Sequence, residues 1–176
     1  MPESPPLLAP AQVAALLRAA AQTLRAEADA LGNEALSWHP APGEWCVNEV
    51  VGHMIEAEQR GFAGRIQRIL EQPGRTLQAW DQGEVARQRN DCKRDGLELL
   101  REFEALREES VRLVAGLQPE QLELSGDHPQ VGELRIVEVL HFWPHHDRNH
   151  VRQALANVQA YVWPHMGKAQ RFAEVD

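Results

Sequence analysis

The sequence is short of basic charge, of cysteine and of long apolar runs, and each shortage excludes a class of protein. Its 18 lysines and arginines stand against 26 aspartates and glutamates, a net charge of −8 that opposes binding to nucleic-acid phosphates. No segment is apolar over the length needed to cross a bilayer, and the first residues lack the basic and apolar parts of a secretory signal. We therefore expect a cytoplasmic protein that binds neither nucleic acid nor membrane.

The two cysteines, Cys46 and Cys92, lie far apart in the chain and form no CxxC motif. Free thiols are the default in a reducing cytoplasm, so we predict no disulfide between them. Cys46 precedes His53 by about two helical turns, roughly 10 Å, and is not expected to share a metal with it. The chain also lacks a glycine-rich phosphate loop and a GxSxG elbow, so nucleotide chemistry and serine hydrolysis have no support.

Apolar residues recur at intervals of three and four in four long segments, which predicts an all-α fold. The length suits one sizeable core and is too short for two ordinary domains, so we expect a single domain over residues 1–176. The helices are predicted at about residues 11–31, 47–72, 92–117 and 134–161. Long connections precede the last two helices, and such connections often form binding walls or lids.

The fourth predicted helix carries histidines on its inward face. That stripe consists of Ile136, Val139, Trp143, His146, His150 and Gln153. His146 and His150 are one turn apart, so both rings can bind one ion. His141 and His145 have the same spacing, but their stripe continues into arginines that belong on a solvated face. We therefore assign His146 and His150 as the inward pair.

A third imidazole lies on the second predicted helix, where His53 shares a stripe with Val50 and Ala57. A single histidine on such a stripe is more often a hydrogen-bonded core residue than a metal ligand. The pair on the fourth helix favours the metal-ligand interpretation, because two adjacent imidazoles are costly to bury unless a metal or another partner engages them. A set of His53, His146 and His150 would leave one coordination position open for water or substrate.

Two segments carry recognisable motifs, PGEWCVNEVVGHM around the first histidine and HHDRNHVRQ around the second pair. They resemble the Trp-Ser-x-x-Glu-Val-x-x-His and His-Asp-x-x-His-x-x-Gln motifs of the DinB-like family of damage-inducible metalloproteins, and the likeness runs from about Leu31 onward. In place of the family's serine stands Cys46, which we expect to begin the helix with Glu49 at its third position. Pro144 lies inside the fourth helix, where we expect a kink near Trp143.

The resemblance implies a four-helix bundle in which His53, His146 and His150 bind one divalent ion, most often nickel or zinc. It also implies a stress-response role and suggests a homodimer. Characterised relatives include transferases that use bacillithiol, mycothiol or glutathione. We therefore expect a metal-dependent thiol S-transferase that acts on a small-molecule thiol and an electrophile, without a catalytic cysteine of its own. A non-catalytic metal-binding module and a metal-dependent hydrolase are the alternatives.

Other polar residues near the motifs have plainer roles. Glu56 lies three residues from His53 and is a candidate to reach the pocket as a general base. Asp147 is a poor partner for the adjacent His146 and is most simply a solvated or interhelical charge. His128 precedes a proline and is most simply a loop residue. The sequence leaves open the metal, the thiol, the electrophile and any catalytic side chain.

Overall fold

The computed structural model describes residues 5–173, and its long helices form the predicted four-helix bundle. In chain order the elements are α1 (Pro10–Ala30), α2 (Asn33–Leu36), α3 (Val47–Glu56), α4 (Ala63–Glu71), α5 (Gln82–Arg89), α6 (Gly96–Ala115), β1 (Ser125–His128), β2 (Gly132–Arg135), α7 (Ile136–Val162) and α8 (Gln170–Ala173). No helix in this range is long and apolar enough to cross a membrane.

The second predicted helix is interrupted. A π-helical segment, Ala57–Phe62, joins α3 to α4. A Cβ atom added at Gly64 would overlap the backbone carbonyl oxygen of Gln59 in the turn before it. Position 64 therefore requires glycine as long as the preceding turn is π-helical. The spacing of apolar residues in the sequence does not distinguish a π turn from an α turn, so the interruption was not predicted.

Both long connections contain structure that the helical pattern did not predict. The first contains α5 and a short 3-10 turn, Asp91–Lys93, so α6 begins at Gly96 rather than near residue 92. The second contains an antiparallel hairpin in which Ser125 pairs with Arg135 and His128 with Gly132. The fold is thus helical with one small two-stranded sheet among the described residues. Four-residue strands are too short for their alternation to stand out in a sequence.

The core lies between α1, α6, α7 and the α3–α4 segment. α1 packs against α6 and α7, and α3 packs against the same two helices. The largest fully buried apolar side chains are Trp143, Phe103, Leu17, Leu36, Met54, Ile55, Ile66, Ile69, Leu77, Leu99 and Leu100. Each contributes roughly 1.5–3 kcal/mol relative to an exposed position. This packing sets the histidine-bearing faces of α3 and α7 against each other.

The prediction of free thiols is wrong, because Cys46 and Cys92 form a disulfide with their Cα atoms 6.6 Å apart. The bond joins the start of α3 to the connection before α6. That connection approaches α3 closely at Gly52, where an added Cβ would overlap the carboxylate of Asp91. The two cysteines are 46 residues apart, so only the folded path of this connection brings them together.

Candidate metal centre

His53 of α3 and His146 and His150 of α7 converge on one point. One ring nitrogen from each lies within 4.8 Å of the others. The Nε2 atoms of His53 and His146 are 3.0 Å apart, and the His150 ring centroid is 4.4 Å from both neighbouring rings. The structure thus brings together the three histidines that the sequence selected, which we call the histidine cluster.

The alternative pair on α7 does not join this cluster. The Nδ1 of His141 is 2.8 Å from the carbonyl oxygen of Val137, and its Nε2 accepts a hydrogen bond from the backbone N–H of Leu8 at 2.9 Å. His145 is exposed and lies beside the ring of Phe142. Both nitrogens of His141 are therefore occupied on another face of the helix.

Two imidazoles of the histidine cluster, those of His53 and His150, are held in their neutral form. Burial, together with the nearby His150 and His146, lowers the pKa of His53 to about 3. Burial and then His146 also lower the pKa of His150, against the opposing effect of Gln153. Since the amide oxygen of Gln153 accepts from the Nδ1–H of His150 at 3.1 Å, the Nε2 of His150 keeps its lone pair. Neutral imidazole is the form that binds metals.

The donor set fits a transition-metal ion. Within residues 5–173 the buried Nδ1 atoms of His53 and His146 have no hydrogen-bond partner. The Nδ1 of His146 is 3.9 Å from Asp147, which is too long for a hydrogen bond. Three crowded imidazoles are costly to bury without an engaging group, and imidazole nitrogen suits zinc, nickel, copper and iron.

Aromatic rings wall the histidine cluster. Trp45 lies 5.3 Å from the ring of His53 and 6.5 Å from that of His150, measured between ring centroids. Phe62 lies 5.0 Å from His146. Trp80, from the connection before α5, lies 5.9 Å from His53. These rings remove water and lower the local dielectric constant, which strengthens electrostatic effects at the site. Only the tertiary fold places Trp80 there.

The N-terminus of α3 is formed as the motif predicts. The carboxylate of Glu49 accepts from the backbone N–H of Cys46 at 2.9 Å. This hydrogen bond satisfies a group that the helix itself leaves unpaired, and it sets the helix start two turns before His53.

Asp147 is the interhelical charge that the sequence allowed as one of two roles, and it is not solvated. It is buried and paired with Arg107 of α6, which also pairs with Glu58 of the π segment. Burial is the largest single influence on Asp147 and opposes its ionisation, but Arg107 and His146 together outweigh burial and lower the pKa of that carboxyl. Burial raises the pKa of Glu58 despite the same arginine. Ser110 also donates a hydrogen bond to Glu58. This network joins α6, the π segment and α7 next to His146.

Glu56 is also engaged by arginines. Its two carboxylate oxygens accept from Arg60 at 2.6 Å and from Arg89 at 2.9 Å. Since both oxygens are occupied by guanidinium groups, Glu56 is part of a structural ion-pair network rather than a free carboxylate in the pocket.

A cavity of about 530 Å³ is separated from the histidine cluster by the rings of Phe62 and Phe142. Both rings line the cavity, and both lie beside the ring of His146. His128, predicted as a loop residue, ends β1 and lies buried at this cavity. The Nη2 of Arg65 donates to the Nε2 of His128 at 3.0 Å. Arg65 forms no ion pair with any residue in the described range, and its buried Nε has no partner there.

Fold and site together define a four-helix bundle with an inward-facing three-histidine cluster. The profile of the DinB superfamily matches residues 16–154, well over half of the chain. The chain therefore belongs to the DinB superfamily.

Two proteins of Bacillus subtilis are similar to this chain. The uncharacterized protein YuaE of strain 168 is 25% identical over 139 residues, which cover 72% of this chain and 85% of YuaE. The solved structure of YfiT matches with a TM-score of 0.79 at 14% identity, over 92% of this chain and 94% of that one. YfiT is described as a probable metal-dependent hydrolase with an unusual four-helix bundle topology. At this identity the match shows the fold alone.

Proposed function

We propose that His53, His146 and His150 bind one divalent ion, nickel or zinc, and that the protein is a metal-dependent thiol S-transferase. The observation that carries this proposal is the convergence of three imidazole nitrogens within 4.8 Å of one another, among the aromatic rings of Trp45 and Phe62. Three protein ligands leave a coordination position for an outside molecule. The bound ion would supply a positive charge that lowers the pKa of a thiol or water placed there.

The surrounding side chains have supporting roles. Gln153 fixes the orientation and the tautomer of His150 through the hydrogen bond to its Nδ1. Trp45, Trp80 and Phe62 exclude water from the rings, which protects a reactive sulfur nucleophile and strengthens its attraction to a cation.

The state of the nearby carboxylates favours a thiol over water as the nucleophile. Glu56 and Asp147, the acidic residues nearest the ligands in sequence, are both held by arginines. Neither is free to take a proton from an attacking molecule. A thiol has a solution pKa of about 8.5 and needs far less help to ionise than water, at about 15.7.

Arg65 supports an anionic substrate. A half-buried guanidinium without an acidic partner in residues 5–173 favours a carboxylate that enters the cavity beside Phe62 and Phe142. We propose that this carboxylate belongs to the thiol or to the electrophile, and that Arg65 positions it next to the histidine cluster.

A panel of thiols tests the transferase proposal. Metal-loaded protein is assayed with bacillithiol, mycothiol, glutathione and simple thiols against a chromogenic electrophile, with metal-free protein and His150→Ala as controls. We expect thiol-dependent conjugation above both controls. Rates equal to the controls across the whole panel would contradict the proposal.

A charge-matched comparison tests Arg65. Arg65→Gln should raise KM at least tenfold for whichever carboxylate-bearing substrate is bound there, since a charge-assisted hydrogen bond contributes roughly 1.5–3 kcal/mol. The same variant should leave KM unchanged for the matching ester or amide. Arg112→Gln, an exposed arginine of α6, is the control. Equal loss with the charged and uncharged substrates would contradict the role.

A metal-dependent hydrolase is the second candidate, because YfiT, which shares the fold, is described as a probable hydrolase of that kind. Hydrolysis needs no added thiol. Product release from activated esters and amides by metal-loaded protein, without thiol and absent from His150→Ala, would place this function ahead of thiol transfer.

A further inference from the structure

A second group of metal-binding side chains lies at the start of α3, outside the histidine cluster. His39, Cys46, Glu49 and Cys92 each offer a ligand atom, and these atoms lie within 4.8 Å of one another. We propose that Cys46, Cys92 and His39 bind a thiophilic divalent ion such as Zn²⁺ when the disulfide is reduced. The disulfide and the metal-bound dithiolate are then alternative states of one site.

His39 is oriented as a ligand. Its Nδ1 lies 2.7 Å from the carbonyl oxygen of Glu44, and because a carbonyl only accepts, Nδ1 carries the proton. The lone pair is therefore on Nε2, which lies 3.3 Å from the Sγ of Cys92. A histidine that donates one ring N–H to a backbone carbonyl and directs the other nitrogen to the ion is the usual arrangement in metal sites.

The two sulfurs occupy suitable positions. Cys46 precedes the first residue of α3, where unpaired backbone N–H groups favour a thiolate. Cys92 is half-buried in the 3-10 turn before α6, between the buried Cys46 and the half-exposed imidazole of His39. Two thiolates and one imidazole form a donor set typical of zinc.

The interconversion is balanced. A dithiol or phosphine reductant supplies two electrons, the S–S bond breaks, and two protons give the free thiols. Binding of the ion then releases both protons, because the thiolate is the ligand. A disulfide oxidant such as oxidised glutathione takes the two electrons back, re-forms the S–S bond and frees the ion.

Either state joins the same two segments of the chain. Cys46 immediately precedes the helix that carries His53, and Cys92 lies near the end of the connection that carries Trp80, whose ring stacks on that of His53. The proposed ion would keep this connection in place when the covalent bond is absent.

Cobalt titration distinguishes this site from the histidine cluster. Thiolate-to-cobalt charge transfer absorbs in the near ultraviolet, whereas three imidazoles give no such band. The full chain is reduced with a phosphine, freed of metal and titrated with Co²⁺. We expect one equivalent of the thiolate band in the wild type and in His146→Ala, which keeps this site intact.

The variants and the oxidised protein complete the test. The band should vanish in Cys92→Ser and after oxidation by oxidised glutathione, and His39→Gln should weaken cobalt binding at least tenfold. His165→Gln, at an exposed histidine far along the chain, is the matched control. A reduced wild type without the band, or a His39→Gln titration equal to the wild type, would overturn the proposal.

A measurement on the wild type alone tests the proposal even if the variants do not fold. Zn²⁺ should protect both thiols of the reduced chain from alkylation by iodoacetamide, as followed by mass spectrometry. Equal alkylation with and without Zn²⁺ would overturn the proposal irrespective of the variants.

Discussion

At the scale of residues, burial is the largest cause of the lowered pKa of His53 and of His150. His53 is 3% exposed, and its Nδ1 has no partner in residues 5–173. Its pKa of about 3, lowered first by burial, means that protons compete weakly for its lone pair in the folded chain. His53 therefore keeps a free lone pair over the whole neutral range of pH.

The ligand set predicts a clear difference between the two histidine pairs of α7. His146→Ala should remove most of the bound metal, because it deletes one of three converging nitrogens. His145→Ala should leave the metal content unchanged, since that ring is exposed and outside the cluster. Elemental analysis of both purified proteins is the measurement. Metal loss from His145→Ala with retention in His146→Ala would reverse the assigned register.

The lowered pKa of His53 predicts that acid destabilises the metal-free protein. The unfolded chain binds a proton near pH 6.5 and the folded chain only near pH 3, so the free energy of unfolding falls as pH decreases between these values. The slope from this residue is about 1.4 kcal/mol per pH unit at most. Urea denaturation in the presence of chelator measures it.

The controls for this pH effect are two histidine variants. His53→Gln removes the titrating group and should flatten the slope between pH 6 and 4, whereas His165→Gln should keep it. A slope unchanged by His53→Gln would show that other groups cause the acid sensitivity.

At the scale of elements, the π segment is the feature that most affects the site. It brings Phe62 against His146 and Glu58 against Arg107, so one irregular turn supplies both a wall of the histidine cluster and a member of the buried ion network. π turns are found often at functional sites. Because the π segment requires glycine at position 64, a substitution there tests its contribution to stability.

Gly64→Ala should destabilise the protein by roughly 1–3 kcal/mol, because its Cβ would overlap the backbone oxygen of Gln59. Gly61→Ala is a matched control in the same helix. There the nearest atom, the Cβ of Ala57, would be 3.9 Å away, so we expect no loss, or a gain of about 0.5–1 kcal/mol. Urea unfolding compares the variants, and equal effects would contradict this account of the π segment.

At the scale of the whole molecule, the proposed ion joins two helices that are separate in the chain. α3 contributes one ligand and α7 two, so binding favours the folded bundle over the unfolded chain. The helices are already packed through α6 and the core, and we expect the metal-free protein to remain folded. The suggested homodimer stays a prediction.

Metal removal should therefore lower the melting temperature without abolishing the fold. At a free metal concentration of one hundred times Kd, the stabilisation is about 2.7 kcal/mol. Calorimetry with and without chelator measures the shift in Tm, and far-ultraviolet circular dichroism checks the helical content. His146→Ala should show little shift. A shift of equal size in that variant would place the stabilising ion elsewhere.

The sequence by itself determined the features that depend on local periodicity. Helical spacing identified the long helices and put His53, His146 and His150 on inward faces, while the resemblance to the DinB-like family implied that these helices form a four-helix bundle. A buried stripe repeats every three or four residues, so a polar residue on it is visible without a structure. The cap of α3 was likewise predictable, because Cys46 and Glu49 interact within one turn.

The tertiary structure alone decided the features that join distant parts of the chain. Trp80 reaches His53, Arg107 pairs with Asp147, and the two cysteines meet only because the connections fold back over the bundle. Periodicity tells which face of an element is buried but not which partner covers it. Connections that lack a repeating pattern give no such signal. For that reason the disulfide, the ion network and the side chains of the proposed second metal site are visible as neighbours only in the folded molecule.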